Sequence, residues 1–155
     1  MRAFRPAAAI LALPLFLSAC LAFVGPGERD DTIRELVAAR ARWAANGPTD
    51  YTMVVTPQCF CVLGGQQVRV VVVGGAVIRR ELVSTGAFIN GDAPGAPVDQ
   101  LFDVIEDAVH RRAHRIDATY DPTRGYPTHV FIDYSAQAAD EEYGMQVESL
   151  VPTPR

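Results

Sequence analysis

The spacing of apolar residues along the chain is the feature that most restricts its fold. Two segments, near residues 32–46 and 97–113, repeat apolar residues at the three- and four-residue intervals of a helix. Three short strand-like segments follow each of them, and four of these six segments alternate apolar and polar residues, as in strands with one buried face. The predicted strands lie near residues 51–55, 68–73, 76–83, 116–120, 130–134 and 145–147. The predicted order is therefore helix, three strands, helix, three strands, a twofold repeat of pattern although the residues of the two halves differ.

This order predicts the α+β class, with an antiparallel sheet that carries the helices on one face. Short connections favour antiparallel neighbours, and helices on one face bury both apolar stripes most simply. Gly74 and Gly75 form a two-residue connection that permits the positive φ angles of a tight hairpin. The run Val70–Val73 has no polar face, which indicates either a central strand covered on both sides or an interface.

The helix ends carry recognisable signals. Thr32 and Glu35 have the spacing of a capping box, which predicts that the first helix begins there, and Gly47 favours its end. The second helix is predicted to run from about Pro97 to about Ala113, because proline is tolerated in a first turn. The predicted buried stripe of the first helix consists of Ile33, Leu36, Val37, Ala41 and Ala44.

The N-terminus has the layout of a secretory signal, with two arginines before an apolar run at residues 7–17. This run is shorter than the roughly 20 residues that span a bilayer. The sequence LSAC at residues 17–20 resembles a lipobox, in which the cysteine receives lipid and becomes the first mature residue. We expect a signal peptide at residues 1–19 and a lipid anchor on Cys20. The alternatives are an ordinary signal peptide that ends near a cysteine and a transmembrane anchor.

The mature chain is expected to contain a tether and one domain. Residues 20–30 include glycine and proline without periodicity, which predicts a disordered lipidated tether. Residues 31–152 have the length of a single domain. Leu21 is not the aspartate that retains some lipoproteins at an inner membrane, so the expected location is the cell envelope, with the outer membrane favoured where one exists.

Composition excludes several functions. All 14 basic residues are arginine, and residues 20–155 contain 12 of them against 18 acidic residues, a net charge of −6. Such a chain is a poor ligand for nucleic acid, because phosphate contacts need a basic surface. Without lysine, neither a Schiff base nor a Ser–Lys dyad is available. The sequence also lacks a nucleophile elbow, a phosphate loop and a dinucleotide fingerprint, so we predict no enzyme activity and no cofactor.

Cys59 and Cys61 are the two cysteines that follow the lipidation site. In an oxidising envelope, paired thiols usually oxidise, so one interpretation is a local disulfide that braces the turn after the first strand. Residues two apart in an extended strand lie near the limit of disulfide reach, so this pairing requires a bend. The other interpretation is a redox or Cu(I) site, which would use the soft thiolates.

Acidic residues near the later strands form a second candidate site. Asp117, Asp121, Asp133 and Asp140 supply oxygen ligands that could hold Ca²⁺ if the loops converge. The spacing is not that of an EF-hand, and exposed acids are commonly solvated or paired with arginine. Asp121 has a further local alternative, because an aspartate before proline readily caps the backbone N–H groups of a turn.

Several motifs together resemble the family of uncharacterised bacterial lipoproteins known as domain-of-unknown-function family 6174. The motifs are DY at residues 50–51, CFC at 59–61, LFDVIE at 101–106, YDP at 120–122, GYP at 125–127 and ID at 132–133. The resemblance covers about residues 31–150. It implies an envelope lipoprotein and brings no established activity or catalytic residue.

These observations predict a non-catalytic envelope lipoprotein that binds a protein or another envelope component through its sheet surface or its loops. Tyr126, between Gly125 and Pro127, is the candidate residue of an interaction loop, and packing over the sheet edge is its alternative. The rival hypothesis is a metal-binding or redox module that uses Cys59 and Cys61 or the acidic loops.

Overall fold

The computed structural model describes residues 26–91, 93–138 and 141–154. These residues form two helices and one six-stranded antiparallel sheet, so the predicted α+β class is confirmed. In chain order, the elements are α1 (Pro26–Asn46), β1 (Tyr51–Pro57), β2 (Val68–Val73), β3 (Ala76–Leu82), α2 (Val98–His110), β4 (Arg115–Tyr120), β5 (Pro127–Asp133) and β6 (Tyr143–Pro152).

The sheet joins two three-stranded meanders. The strand order is β3-β2-β1-β6-β5-β4, and each neighbouring pair is antiparallel. The first and last strands pair at the centre, where Thr52 lies opposite Val151. The twofold pattern of the sequence is therefore absent from the sheet, because β1 is central whereas β4, its counterpart in the second half, lies at an edge.

Helix α1 begins earlier than the sequence predicts. It starts at Pro26, so the predicted capping box at Thr32 lies inside the helix and residues 26–30 of the expected tether are helical. Proline is favoured in the first turn of a helix, so Pro26 is compatible with this earlier start. The capping-box prediction is wrong because these earlier residues already support helical turns.

The buried stripe of α1 also differs from the prediction. Leu36, Ala39 and Trp43 are buried, whereas the predicted stripe residues Ile33 and Val37 are exposed. The buried positions 36, 39 and 43 have helical spacing, but the buried face is rotated by about one residue from the predicted face. Trp43 has the largest apolar side chain of the helix, and its burial therefore determines which face of α1 packs against the domain.

Helix α2 ends three residues before its predicted end at Ala113. Arg111 is the C-terminal cap, and Arg112 adopts a left-handed conformation with φ 56°. The N–H of Ala113 still donates to the carbonyl of Ala108, which closes the helix end. The residues of α2 that are buried are Val98, Leu101, Phe102, Ile105 and Ala108.

The hairpin predicted at Gly74 and Gly75 is confirmed, with φ angles of 58° and 78°. Strand β2 is paired on both edges, by β1 and by β3. Its faces are unequal, because Val70 is fully buried whereas Val71 is half-buried and Val73 is exposed. The prediction that this strand is covered on both faces is therefore wrong. The alternative, an interface on its second face, stays a prediction.

The strand register gives the sheet two distinct ends. The closed end carries the connections α1–β1, β2–β3 and β4–β5, which are at most six residues long. The loop end carries the connections β1–β2, β3–α2, α2–β4 and β5–β6. Pro57 lies beside Met145, Val68 beside Leu82, and Arg115 beside Asp133, which places these strand ends along the loop end.

Candidate site at the loop end of the sheet

The connection between β1 and β2 forms a small braced loop at residues 58–67, here called the cysteine loop. The sulfur atoms of Cys59 and Cys61 are bonded as a disulfide, and residues 59–61 form the bend that such a short bridge requires. The base of the loop is closed because the N–H of Gly65 donates to the carbonyl of Pro57 over 2.8 Å. Backbone contacts on both sides therefore hold the loop to the sheet.

Gly64 is required by the close packing within the cysteine loop. A Cβ at this position would lie 2.2 Å from the carbonyl oxygen of Cys59, a distance that no side chain can adopt. On the sheet side, the N–H of Gln58 donates to the carbonyl of Gly144 over 2.9 Å. These contacts order the backbone and leave the apolar side chains at the tip outside the domain.

Phe60 and Val62 project from this loop into solvent. Their side chains are 97% and 92% exposed, the highest values among the large apolar residues that the structure describes. Single exposed apolar residues are common on protein surfaces, but two on one braced loop are a local patch. The sequence analysis did not select these residues. A signal for them was available in the sequence, because this uncharged segment carries a phenylalanine between the two cysteines and a valine and a leucine before Gly64.

An apolar cavity of about 310 Å³ lies on one side of the cysteine loop. Helix α2 contributes Val104, and strands β1 and β6 contribute Pro57 and Met145. Tyr143 also lines the cavity, and burial raises the pKa of its phenol to about 12. Most lining groups are apolar, so the cavity suits an apolar group better than an ion.

A second concavity, of about 420 Å³, lies on the other side of the same loop. Its lining includes Phe60, Cys61, Phe131 and Glu142. Phe131 lies on the sheet face opposite that of the buried Val130, since neighbouring residues of a strand point to opposite faces. Cys59 and Glu142 line both spaces, so the cysteine loop separates them.

Among the described residues, the candidate calcium ligands Asp117, Asp121 and Asp133 do not form a metal-binding group. Asp117 forms an ion pair with Arg115 at 2.6 Å, and Arg115 lies opposite Asp133 across the β4–β5 pair. Asp121 lies at the closed end, where its carboxylate accepts a hydrogen bond from the N–H of Thr123. This contact is the turn-capping alternative that the sequence offered.

Asp140, the fourth candidate, lies outside the described residues. Within the part of the chain that the structure describes, no three His, Cys, Asp or Glu side chains form a group that could hold a metal ion.

Tyr126 packs against the domain, and its role in an interaction loop stays a prediction. Its ring lies 6.3 Å from that of Trp43 in an edge-to-face arrangement, and it is half-buried. The adjacent Gly125 causes this approach, because a Cβ there would lie 2.2 Å from the carbonyl oxygen of Ala39. Because Gly125 has no side chain, the β4–β5 connection packs closely on α1, and this packing places the adjacent Tyr126 against Trp43.

The predicted signal peptide at residues 1–19 and the predicted lipidation site Cys20 lie outside the described residues. Among the residues that are described, neither helix has the length and apolar character needed to cross a membrane.

Comparison with known proteins identifies one relationship. The model of a family of unknown function, DUF6174, matches residues 35–152, which include the C-terminal part of α1, the whole of α2 and all six strands. The chain matches none of the curated proteins and none of the solved structures. Since the family match spans most of the sequence, the chain belongs to the DUF6174 family of unknown function.

Proposed function

We propose that the protein is a non-catalytic lipoprotein of the cell envelope, held to a membrane by lipid on Cys20, and that its loop end binds an envelope component. The observation that carries the binding part is the cysteine loop, which holds Phe60 and Val62 in solvent between two concavities. Exposed apolar residues on a rigid support are typical of interaction surfaces.

The anchor part of the proposal depends on the sequence. A basic start, a short apolar run and the LSAC sequence before Cys20 are typical of a lipoprotein signal. Two or three acyl chains bind a bilayer effectively permanently, because each buried methylene adds about 0.8 kcal/mol. A lipid on Cys20 would therefore keep the domain beside a membrane.

We also infer that both helices lie on one face of the sheet. The inference is supported by the alternating burial of β1, in which Tyr51, Met53 and Val55 are buried while the intervening residues are half-buried. Helix α2 contacts α1, β4 and β5, and α1 contacts β4. One face would then carry the helices and leave the other, with Phe131, free for binding.

The anchor is tested by replacing Cys20. In Cys20→Ala, we expect loss of incorporated fatty acid and loss of processing, so that the membrane fraction no longer contains protein of the mature size. The matched control is the double variant Cys59→Ser with Cys61→Ser, which removes the two other cysteines and should keep the lipid. A Cys20→Ala protein that remains membrane-bound at its mature size would refute the anchor.

The binding surface is tested by crosslinking in intact cells. A photoreactive amino acid at position 60 should give adducts with an envelope component, whereas the same group at position 151 should not. Val151 is a fair control because it is an exposed apolar residue at the opposite end of β6. Equal adducts at both positions, or none at position 60, would refute binding at the loop end.

Thiol titration and metal analysis of the purified protein distinguish the proposed function from the rival redox or metal-binding function. The proposal expects no titratable thiol at Cys59 or Cys61 before reduction, because the two sulfur atoms are bonded. Two free thiols together with stoichiometric copper would replace the binding hypothesis with a Cu(I) site.

A further inference from the structure

We infer that the cysteine loop inserts Phe60 and Val62 into the interface of the same bilayer that holds the lipid anchor. This inference rests on the proposed function, because it requires the anchor on Cys20. It names the envelope component as a lipid surface. It also assigns the cysteine loop as a second, non-covalent point of attachment.

The composition of the loop favours lipid as its occupant. Residues 58–67 contain no charged side chain, although charged residues make up 21% of the chain. A loop that enters a bilayer interface must avoid burying charge, whereas a protein partner is commonly recognised by complementary charges. Gln58, Gln66 and Gln67 flank the tip with uncharged polar groups that can remain at the level of the lipid headgroups.

Helix α1 separates the anchored end of the chain from the packing of Trp43. Trp43 lies at the closed end, where the centres of its ring and the Tyr51 ring are 5.6 Å apart. Pro26 precedes Trp43 by 17 residues in the same helix, a length of about 26 Å. The anchored end of α1 therefore lies far from Trp43.

The segment between the anchor and α1 is short. Five residues separate Cys20 from Pro26, so their Cα atoms can lie at most about 22 Å apart. A chain anchored at Cys20 must therefore hold the start of α1 within that distance of the lipid headgroups. The domain, and the cysteine loop with it, therefore stays close to the bilayer, which is the nearest large apolar phase.

Two apolar side chains suffice for this contact because the anchor keeps them near the membrane. An anchored domain meets the bilayer as an intramolecular partner, so the effective concentration of lipid is high without further affinity. The disulfide and the hydrogen bond between Gly65 and Pro57 hold the tip in shape, which reduces the conformational entropy lost on insertion. Glu142 lines the neighbouring concavity and would stay in the aqueous headgroup region.

The test uses tryptophan fluorescence of the full mature lipidated chain in vesicles of phosphatidylethanolamine and phosphatidylglycerol. Trp43 is the single natural tryptophan and is buried at the closed end, so it supplies a constant background. The variants Phe60→Trp and Val62→Trp add a probe at the loop tip. Val151→Trp adds a matched probe at an exposed apolar position of the closed end.

We expect a blue shift of the emission in Phe60→Trp and Val62→Trp, and loss of the added emission when the acyl chains carry bromine. Val151→Trp should keep its added emission in both lipids. The inference is overturned if the anchored tip variants are not quenched, or if a blue shift requires an envelope protein in the vesicles. Mass measurement of the lipid on Cys20 in the same samples separates these outcomes from failure of the anchor itself.

Discussion

The two ends of the sheet differ in how completely their side chains are packed. At the closed end, Trp43 meets Tyr51 and Tyr126 edge to face, and Gly125 brings a turn into contact with α1. At the loop end, longer connections surround two concavities, and Phe60 lies in solvent. We expect the closed end to contribute more of the stability, which would leave the loop end free to vary its loops.

The difference follows from the lengths of the connections. Short turns must place their polar groups on nearby partners, as when the N–H of Gly74 donates to the Asp50 carboxylate over 2.8 Å. The backbone groups of the long connections at the loop end form hydrogen bonds within the same connection or with residues of the sheet. One example is Gly95, whose carbonyl accepts a hydrogen bond from the side chain of Arg80 over 2.9 Å. Longer segments also leave spaces between them, which become cavities.

High pH should cause the largest loss of stability, and it should act at both ends of the sheet. Burial raises the pKa values of Tyr51 and Tyr120 at the closed end, and of Tyr143 at the loop end, to about 12 from an ordinary value of 10. Above pH 10 the unfolded chain releases these protons more readily than the folded chain, so the free energy of unfolding falls as pH rises towards 12. Urea unfolding at a series of alkaline pH values measures this decline.

The absence of lysine makes the alkaline experiment selective, because arginine stays protonated and tyrosine supplies the change in charge. The control is Tyr51→Phe, which removes one raised phenol and should make the decline with pH shallower. An unchanged slope in this variant would show that Tyr51 does not contribute. The same variant loses the hydrogen bond that the N–H of Val98 donates to the Tyr51 hydroxyl.

Truncation of Trp43 should sharpen the contrast between the ends. We expect Trp43→Ala to reduce the free energy of unfolding by about 3–5 kcal/mol, because it removes a buried aromatic side chain and leaves a cavity. Chemical denaturation followed by circular dichroism gives the value. A loss near that of an exposed substitution would mean that the closed end is not the main source of stability.

Removal of the disulfide should have a smaller effect. Cys59→Ser with Cys61→Ser should lower the free energy of unfolding by about 1.5 kcal/mol or less, because so short a loop removes little entropy from the unfolded chain. Comparing urea unfolding of the natural protein with and without reductant gives an independent value. A much larger loss would place a major stabilising element at the loop end and break the comparison.

Replacement of Phe60 should have the smallest effect on stability. We expect Phe60→Asp to change the free energy of unfolding by no more than about 0.5 kcal/mol, since the side chain is almost fully exposed. The measurement is the same urea titration, with Val151→Asp as the matched variant at the closed end. Destabilisation as large as that of Trp43→Ala would mean that Phe60 packs against the domain.

Secondary structure was predictable wherever it depends on neighbouring residues. The strand from Val68 to Val73 and the hairpin at Gly74 and Gly75 lie where a run of valines and a pair of glycines predict them, because both signals are local. The start of α1 was predicted too late, since a capping-box sequence at Thr32 does not exclude earlier helical turns. Local signals identify an element better than its ends.

The candidate site was less predictable than the fold. The sequence drew attention to Cys59 and Cys61 but passed over Phe60 between them, because exposure is a property of the folded chain. It left Tyr126 either projecting from its loop or packed over the sheet edge, and the contact of Gly125 with α1 brings its ring onto Trp43. Asp117 and Asp121 lie on a single strand and its turn, yet each has its own partner.

By itself, the sequence determined the two helices, the six strands and the tight hairpin, because side-chain periodicity and turn chemistry act over a few residues. The tertiary structure alone decided that β1 and β6 pair at the centre of the sheet, that α1 turns Trp43 inward, and that Phe60 stays in solvent. These outcomes depend on which distant segments exclude water together. That choice is made by the whole chain, since the burial of one surface requires a matching surface elsewhere.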